Sequence, residues 1–456
     1  MATKLTFYGG VNEIGGNKIL LEDKGTKIFL DFGQSFTFGT EYFTSWLQPR
    51  NLNGLGDYFE FNLLPRIGGL YSKEMLASTN LKYAEPEISC VFLSHAHFDH
   101  VEHINFLDPN ISVCLGVGTK LFLESMEETG TFADYGEHPL CNKFRTGHKI
   151  NIDNLTVEPI AVDHSIPAAY GFLIHTSEGT IAYTGDLRRH GPRADLTENF
   201  IEKVKEAKPD ALICEGTRMA VKETRQNYSE QQVKEKSNEV VGLTDKAVFI
   251  MHASRDIDRL RSIYEVAKDN NRKFVISPKT AYLLTKLKED KHLQVPNALK
   301  DNIIKVYYKK KKSGTYDDKD YFPWERTFMD KMVDCNYIRK NQRKLIMDLD
   351  FYQFAELIDI KPEAGSHLIH SMSESFSEEE IDVEEQVMHN WINHFKMQFH
   401  QLHASGHMSK DQLIEMVKEV NAKRVFPVHT ENQQLFRTYC DKVQTIQQGI
   451  AYTTIR

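Results

Sequence analysis

The sequence predicts an α/β protein, and three observations carry that prediction. Short strand-like runs divided by glycine turns open the chain, strands and helices alternate through its middle, and metal-capable side chains recur directly after apolar, β-branched runs. The opening runs are Leu5 to Tyr8, Asn17 to Leu21 and Lys27 to Asp31, divided by Gly9-Gly10, Gly15-Gly16 and Lys24-Gly25. No helix pattern follows Gly16, so these glycines read as turns and not as a dinucleotide-binding loop. Residues 34 to 85 form a long aromatic and glycine-rich excursion, a length that in a compact domain serves as a lid or a partner surface.

A strand from Ile88 then runs into His95-Ala-His97-Phe-Asp99-His100, four metal-capable side chains in six positions. His164 follows Ile160-Ala-Val-Asp, Asp186 follows Ile181-Ala-Tyr-Thr-Gly, and His429 follows Val425-Phe-Pro-Val. Each is thereby delivered to one edge of a sheet. Two zinc ions need about seven protein ligands and a shared water. His95, His97, Asp99, His100, His164, Asp186 and His429 supply that number. Another strand, Ala211 to Cys214, ends in Glu215.

Beyond it the alternation begins. Ser229-Glu-Gln-Gln232 reads as a capping box, Ala247 to Met251 as a buried strand, and Lys273 to Ser277 as a further strand. Between them Ile257, Leu260, Ile263, Tyr264 and Ala267 make the apolar face of a helix, giving a βαβ layer. Ser377 is expected to cap a helix whose inward face carries Val387, Met388, Trp391, Ile392, Phe395 and Phe399, with Glu378, Glu379, Glu380, Asp382, Glu384 and Glu385 favouring its start. Because His429 must return to the metals held by residues 95 to 100, everything from about 219 to 400 has to leave and re-enter the metal-binding domain.

The chain has 456 residues, 41% hydrophobic and 26% charged, the profile of a globular protein of two or three domains. No apolar run reaches the roughly 18 residues of a membrane span, and the start lacks a signal-peptide pattern, so action in the cytoplasm and no membrane partner are expected. Six cysteines without Cys-x-x-Cys spacing are expected to be reduced. A net charge of −8 argues against binding nucleic acid through bulk electrostatics. Residues 300 to 345 nevertheless carry a net charge of +6, with Lys309 to Lys312 at the centre and Tyr307, Tyr308, Tyr316, Tyr321, Phe322 and Trp324 interleaved. That mixture suits a groove for phosphates and bases. The lysine run alone reads equally well as a solvated loop.

His-x-His-x-Asp-His followed by a lone His, a lone Asp and a late His resembles the metallo-β-lactamase superfamily. Tyr8 to Gly16, His252-Ala-Ser-Arg-Asp-Ile-Asp-Arg259, Ser405-Gly406-His407 before a capped helix, and Pro427-Val-His429-Thr-Glu431 resemble its β-CASP ribonuclease J family, of a compact archaeal type. The resemblance implies an αββα metallo-β-lactamase sandwich (residues 1–218 and 401–456) with an inserted β-CASP α/β domain (219–400). By it, His95, His97 and His164 hold one zinc or manganese ion, Asp99, His100 and His429 a second, and Asp186 bridges them. Asp31 matches an early aspartate that orients the ligand loop.

The implied activity is hydrolysis of single-stranded RNA, 5′ to 3′ from a 5′-monophosphate, with endonucleolytic cleavage as a further mode and a homodimer as a further partner. Asp99 would orient the nucleophile, and His407 would protonate the leaving oxygen with Glu215 holding its ring. Ser254, Arg255, Ser405, Gly406 and His407 would contact substrate. His252 stands where the family usually has an aromatic residue, and Arg255 where it often has Asn, which weakens the carry-over there. Two other readings stay open: a small-ester or thioester hydrolase on the same metallo-fold, and a non-catalytic RNA-binding scaffold.

Overall fold

The glycine-divided runs fold as strands in the computed structural model of the protein, which describes residues 2–44, 46–130, 138–221, 228–373 and 383–454. The chain divides into two compact units. The first comprises Met1–Arg189, Arg193–Glu223 and Gly406–Arg456, the second His190–Pro192 and Thr224–Ser405.

The first unit holds β1 (Lys4–Gly9), β2 (Lys18–Asp23), β3 (Thr26–Leu30), β4 (Cys90–Leu93), β5 (Ser112–Gly116) and β6 (Leu140–Phe144) in one sheet. A second sheet holds β7 (Ile150–Ile152), β8 (Leu155–Val162), β9 (Ala169–His175), β10 (Thr180–Tyr183) and β11 (Ala211–Glu215). In the second unit, β12 (Val248–Met251), β13 (Lys273–Ile276), β14 (Ile304–Tyr307), β15 (Met332–Val333), β16 (Leu345–Asp348), β17 (His367–His370) and β18 (Gln398–Gln401) form one sheet. The chain then returns to the first unit, where β19 (Arg424–Val428) pairs with β11 and β20 (Ala451–Thr453) with β1.

Period-two alternation explains the layering. Ala211 and Ile213 of β11 face a core shared with the first sheet, while Leu212 and Cys214 face helices on the outside. The shared core joins Leu5, Phe7, Phe92 and Leu30 of the first sheet to Val157, Phe172, Tyr183 and Phe426 of the second. Burying one such Phe contributes about 2–3 kcal/mol. Helices Ala194–Ala207 and Lys410–Val420 cover the outer face of the second sheet through Phe200, Val204, Leu413 and Val417, and Val117–Glu128 packs on β5. The result is the expected α/β sandwich, with helices outside two facing sheets.

Strands β3, β4, β5 and β6 run parallel, as do β10, β11 and β19, and β8 shares the direction of β10 through antiparallel β9. Their carboxyl ends therefore deliver Asp31, His95, His164, Asp186, Glu215 and His429, as open α/β sheets commonly deliver ligand-binding groups.

All neighbours in the second unit's sheet pair in parallel, in the order β15-β14-β13-β16-β12-β17-β18. Helix Glu230–Leu243 opens with the expected capping box at Ser229 and Gln232. Helix Val383–His394 departs in part from expectation. Met388 and Ile392 are buried and Trp391 and Phe395 pack on the core, but Val387 is exposed and Phe399 belongs to β18. The buried stripe is one residue narrower than the apolar content suggests, because Val387 lies about 100° around the helix from Met388. The expected cap at Ser377 and the acids from Glu378 to Asp382 lie outside the described residues.

The described residues of the excursion at 34–85 form short helical turns, among them Gly56–Glu60 and Lys73–Leu76, the latter capped by Ser72, and isolated β-bridges. Cys90, Cys214, Cys335 and Cys440 are free thiols, whereas Cys114 is disulfide-bonded, contrary to the expectation of reduced cysteines. Spacing along the sequence does not fix which thiols meet in space. Among the described residues no helix is long and apolar enough to cross a membrane.

Candidate metal centre

β4 ends at Leu93, and the chain turns through Ser94 to Ala96 into a short helix, Phe98–Val101. That turn presents His95 and His97, and the helix presents Asp99 and His100. Two groups of donor atoms result, each within 4.8 Å of one another: His95, His97, His164 and Asp186, and Asp99, His100, Asp186 and His429. Asp186 is common to both. Its Oδ2 lies 3.1 Å from His100 Nε2, 3.6 Å from His429 Nε2, 3.7 Å from His95 Nε2 and 3.9 Å from His164 Nε2. His97 Nδ1 is 3.0 Å from both His95 Nε2 and His164 Nε2, and His429 Nε2 is 2.8 Å from Asp99 Oδ2.

These donors fit a pair of divalent cations. Nitrogen atoms that all point inward have little to offer one another, and the buried Asp186 Oδ1 has no hydrogen-bond partner among the described residues. A buried carboxylate oxygen left so is costly without a cation. The chain is thus built to bind metal through His and Asp side chains.

The far nitrogen of each Nε2-type ligand is held as well. His100 Nδ1–H donates to Asp31 Oδ2 at 2.7 Å, and His95 Nδ1 lies 2.9 Å from Ser94 Oγ, which itself donates to Asp31 Oδ2 at 2.8 Å. His164 Nδ1–H donates to the Gly406 carbonyl at 2.6 Å, and His429 Nδ1 lies 2.8 Å from Thr217 Oγ1. Such partners fix the tautomer that leaves Nε2 for metal. Asp31 also accepts from the Ser94 backbone N–H and from the Tyr183 hydroxyl, at 2.7 and 2.6 Å. It thus holds one of these histidines directly and a second through Ser94, without entering either donor group. In Asp31→Ala, metal affinity is expected to fall by about 10- to 100-fold, read by competition with a chromogenic chelator; unchanged affinity would show that the loop holds itself.

Two glycines make the packing feasible. A Cβ on Gly15, at φ +80°, would stand 2.6 Å from Asp99 Cβ, and one on Gly406 would stand 2.7 Å from His164 Cε1. Gly15 and Gly16 therefore do more than turn the chain: Gly16 N–H donates to the Asp99 carbonyl at 3.0 Å. Asp31 and His429 sit in the left-handed region, at φ 56° and 54°, which costs a non-glycine residue about 1–2 kcal/mol.

Burial alone would push every imidazole here down, and it wins at His95 and His164, which have mostly other histidines beside them. At His100 the carboxylates of Asp186, Asp99 and Asp31 outweigh burial and raise the pKa, and at His429 Asp186 and Asp99 raise it to about 9. A raised pKa means that, before metal arrives, His100 and His429 carry protons at neutral pH and must give them up to coordinate. Loading the Asp99, His100 and His429 group should therefore release about two protons and tighten as pH rises toward 9, whereas His95 and His164, whose pKa burial lowers, need no such release. Calorimetry in buffers of different ionisation enthalpy checks this, and metal uptake without proton release would contradict it.

His407, 20% exposed, borders both groups. Its Nδ1 lies 3.3 Å from Glu215 Oε1, 3.1 Å from Thr217 Oγ1 and 4.0 Å from Asp186 Oδ2. Glu215 is wholly buried and accepts from the Thr217 backbone N–H at 2.9 Å. Thr217, Ser94 and Tyr183 are missed by sequence reasoning. The only hint was position, two residues after Glu215, one before His95 and in the strand before Asp186. Of the expected substrate contacts, Gly406 and His407 belong to this unit, Gly406 through its carbonyl on His164. Ser254, Arg255 and Ser405 belong to the second unit. Ser254 lies exposed in the turn after β12, Arg255 follows it half-buried, and the Ser405 carbonyl accepts from His190 Nε2–H at 2.9 Å.

Residues 72–253 match the beta-lactamase superfamily domain, and residues 394–446 the Zn-dependent metallo-hydrolase RNA specificity domain. Ribonuclease J of Sinorhizobium meliloti is 23% identical over 355 residues, 76% of this chain and 58% of that protein. Ribonuclease J of Mycobacterium tuberculosis is 25% identical over 272 residues, 58% of this chain and 42% of that protein. The chain thus matches about half the length of these curated relatives. A crystal structure of a protein of unknown function from Enterococcus faecalis V583 shares the fold, with a TM-score of 0.77 at 22% identity, covering 99% of this chain and all of that one. The chain belongs to the metallo-β-lactamase superfamily and, within it, to the β-CASP ribonuclease J family. The relatives named here are bacterial, and the expected archaeal type finds no support among them.

Proposed function

We propose that the protein is a ribonuclease that hydrolyses phosphodiester bonds of single-stranded RNA in the cytoplasm, chiefly 5′ to 3′ from a 5′-monophosphate, with internal cleavage as a second mode. The observation that supports this best is the meeting of two four-donor groups at one carboxylate, Asp186, with the His407–Glu215 pair beside them. Two zinc or manganese ions bound there supply Lewis acidity toward a phosphate and lower the pKa of water to near neutrality. Asp99 and Asp186 bring the compensating negative charge and orient what binds between the groups. His407 delivers a proton to the leaving oxygen, and Glu215 and Thr217 fix the plane of its ring. Ser254, Arg255, Ser405 and the backbone at Gly406 offer a hydroxyl, a guanidinium and amides of the kinds that hold phosphate. In this reading residues 1–218 and 401–456 are the metallo-β-lactamase domain and 219–400 the β-CASP domain.

The test is degradation of one single-stranded RNA labelled at either end and carrying a 5′-monophosphate or a 5′-triphosphate. Rapid release of mononucleotides from the monophosphate end alone is the expected result. Intact RNA beside a hydrolysed chromogenic ester would move the protein to the small-ester class, and no hydrolysis of either by metal-loaded protein would leave the scaffold reading.

A further inference from the structure

The basic and aromatic segment at 300–345 takes no part in the metal centre. Within the second unit it lies against the helix Pro278–Leu287, which starts one residue past β13. Lys279, Tyr282 and Lys286 recur at i, i+3 and i+7 along this helix and so share a face. The Tyr282 ring meets Trp324 at 5.6 Å, and Trp324 lies nearly parallel to Phe322, at 6.3 Å and 7°. Cations border this row of rings. Lys286 Nζ stands 6.0 Å from the Tyr282 centroid, and Lys311 Nζ stands 5.3 Å from Phe322 and 5.2 Å from Tyr321. Phe322 is 63% exposed, which is unusual for a Phe that is there to pack.

Charge supplies the second observation. Tyr308 follows β14 directly, and Lys309 and Lys310 come next, both exposed. Glu325 neutralises Lys311 at 2.7 Å, and Asp320 is engaged with Ser313. Lys279, exposed in the first turn of the helix Pro278–Leu287, has its pKa lowered first by desolvation, with Lys309 and Lys311 adding to that and Glu325 and Asp350 opposing it. Several ammonium groups thus crowd one place despite the carboxylates nearby. They do so at the carboxyl ends of two neighbouring parallel strands, where α/β sheets bind ligands.

We propose that this face of the second unit is a binding surface for single-stranded RNA, with phosphates on Lys279, Lys309 and Lys310 and bases stacked on Phe322 and Trp324. It rests on the ribonuclease reading for the identity of the polymer. A strand with regular charge and flat base faces matches a row of lysines beside a row of rings; an acidic peptide would match only the lysines.

The experiment uses the full chain with its metals chelated, so that binding is read without cleavage, and a fluorescein-labelled oligouridylate of about 20 nucleotides, longer than a typical single-strand site. Phe322→Ala should weaken binding by about tenfold, the loss typical of one stacking ring. A Lys309→Ala, Lys310→Ala double variant should lower the slope of log affinity against log salt by about 1.4, from two lost phosphate contacts. All three side chains are exposed, so the variants should fold, and hydrolysis of bis(p-nitrophenyl) phosphate by the metal-loaded variants should stay at the wild-type rate. Ultraviolet crosslinks should map to peptides within residues 305–326. Wild-type affinity and salt slope in both variants would overturn the proposal and leave the surface to a protein partner. A wild-type protein that neither binds nor cleaves RNA overturns the ribonuclease reading itself, a different outcome from cleavage that persists with the surface shown idle.

Discussion

Asp186→Asn is expected to empty both metal sites at once and to lower hydrolysis by about a thousandfold or more, a loss on the order of 4 kcal/mol of transition-state stabilisation. The reason is its place in the donor set: among the described residues no other side chain belongs to both groups. The amide keeps the size of the side chain but removes a charge that the surrounding histidines are arranged around, and its NH₂ can point donors at nitrogens that also need to accept a cation. Metal content by mass spectrometry should fall from about two ions per chain toward none, whereas Asp99→Asn should lower it toward one. Retention of both metals in Asp186→Asn would show that the six remaining donors suffice and that the shared carboxylate is not the keystone.

His407→Ala should act differently. Its ring touches the ligand set from outside, so both ions should remain while kcat falls by about 10²- to 10⁴-fold, the range for a lost proton donor. The limb of the pH–rate profile that reports the donor should vanish with it. Glu215→Gln is the companion experiment: it keeps the size of the buried side chain but replaces a carboxylate facing His407 Nδ1, and should lower kcat less than His407→Ala does. A His407→Ala protein with reduced metal content would mean that the residue positions ligands and does not move a proton.

Much of the metal centre was legible because strand chemistry and ligand chemistry use different residues. Val, Ile and Phe build the strands, so a His or Asp directly after such a run stands out, and all seven ligand candidates were found in this way. Asp31 was equally readable. Thr217 was not, because a threonine two residues beyond a strand is common and gains meaning only when His407 and His429 arrive from about 200 residues away. Tyr183 looked like one more core aromatic, and only the need of a buried hydroxyl for a partner reveals its bond to Asp31. Outside the site, the alternation of strands and helices was clear from 229 onward because period 2 and period 3.6 leave distinct patterns. The inward face of Val383–His394 was drawn too wide because apolar content was counted without its angle, and the Cys114 disulfide was missed because sequence spacing does not fix which thiols meet.

The discontinuity of the first unit has a consequence for how the molecule comes into being. A nascent chain emerging from the ribosome in sequence order can assemble the loop at 95–100, but the Gly406 carbonyl and the His429 imidazole arrive more than 200 residues after Asp186. Until then the sheet edges later joined by β19 and β20 are bare, and the last cation lacks a full set of donors. Metals bound at these donors would act as a late clasp on the final strands. Stripping them from the mature protein should therefore loosen residues 406–454 before the rest, as hydrogen exchange would register.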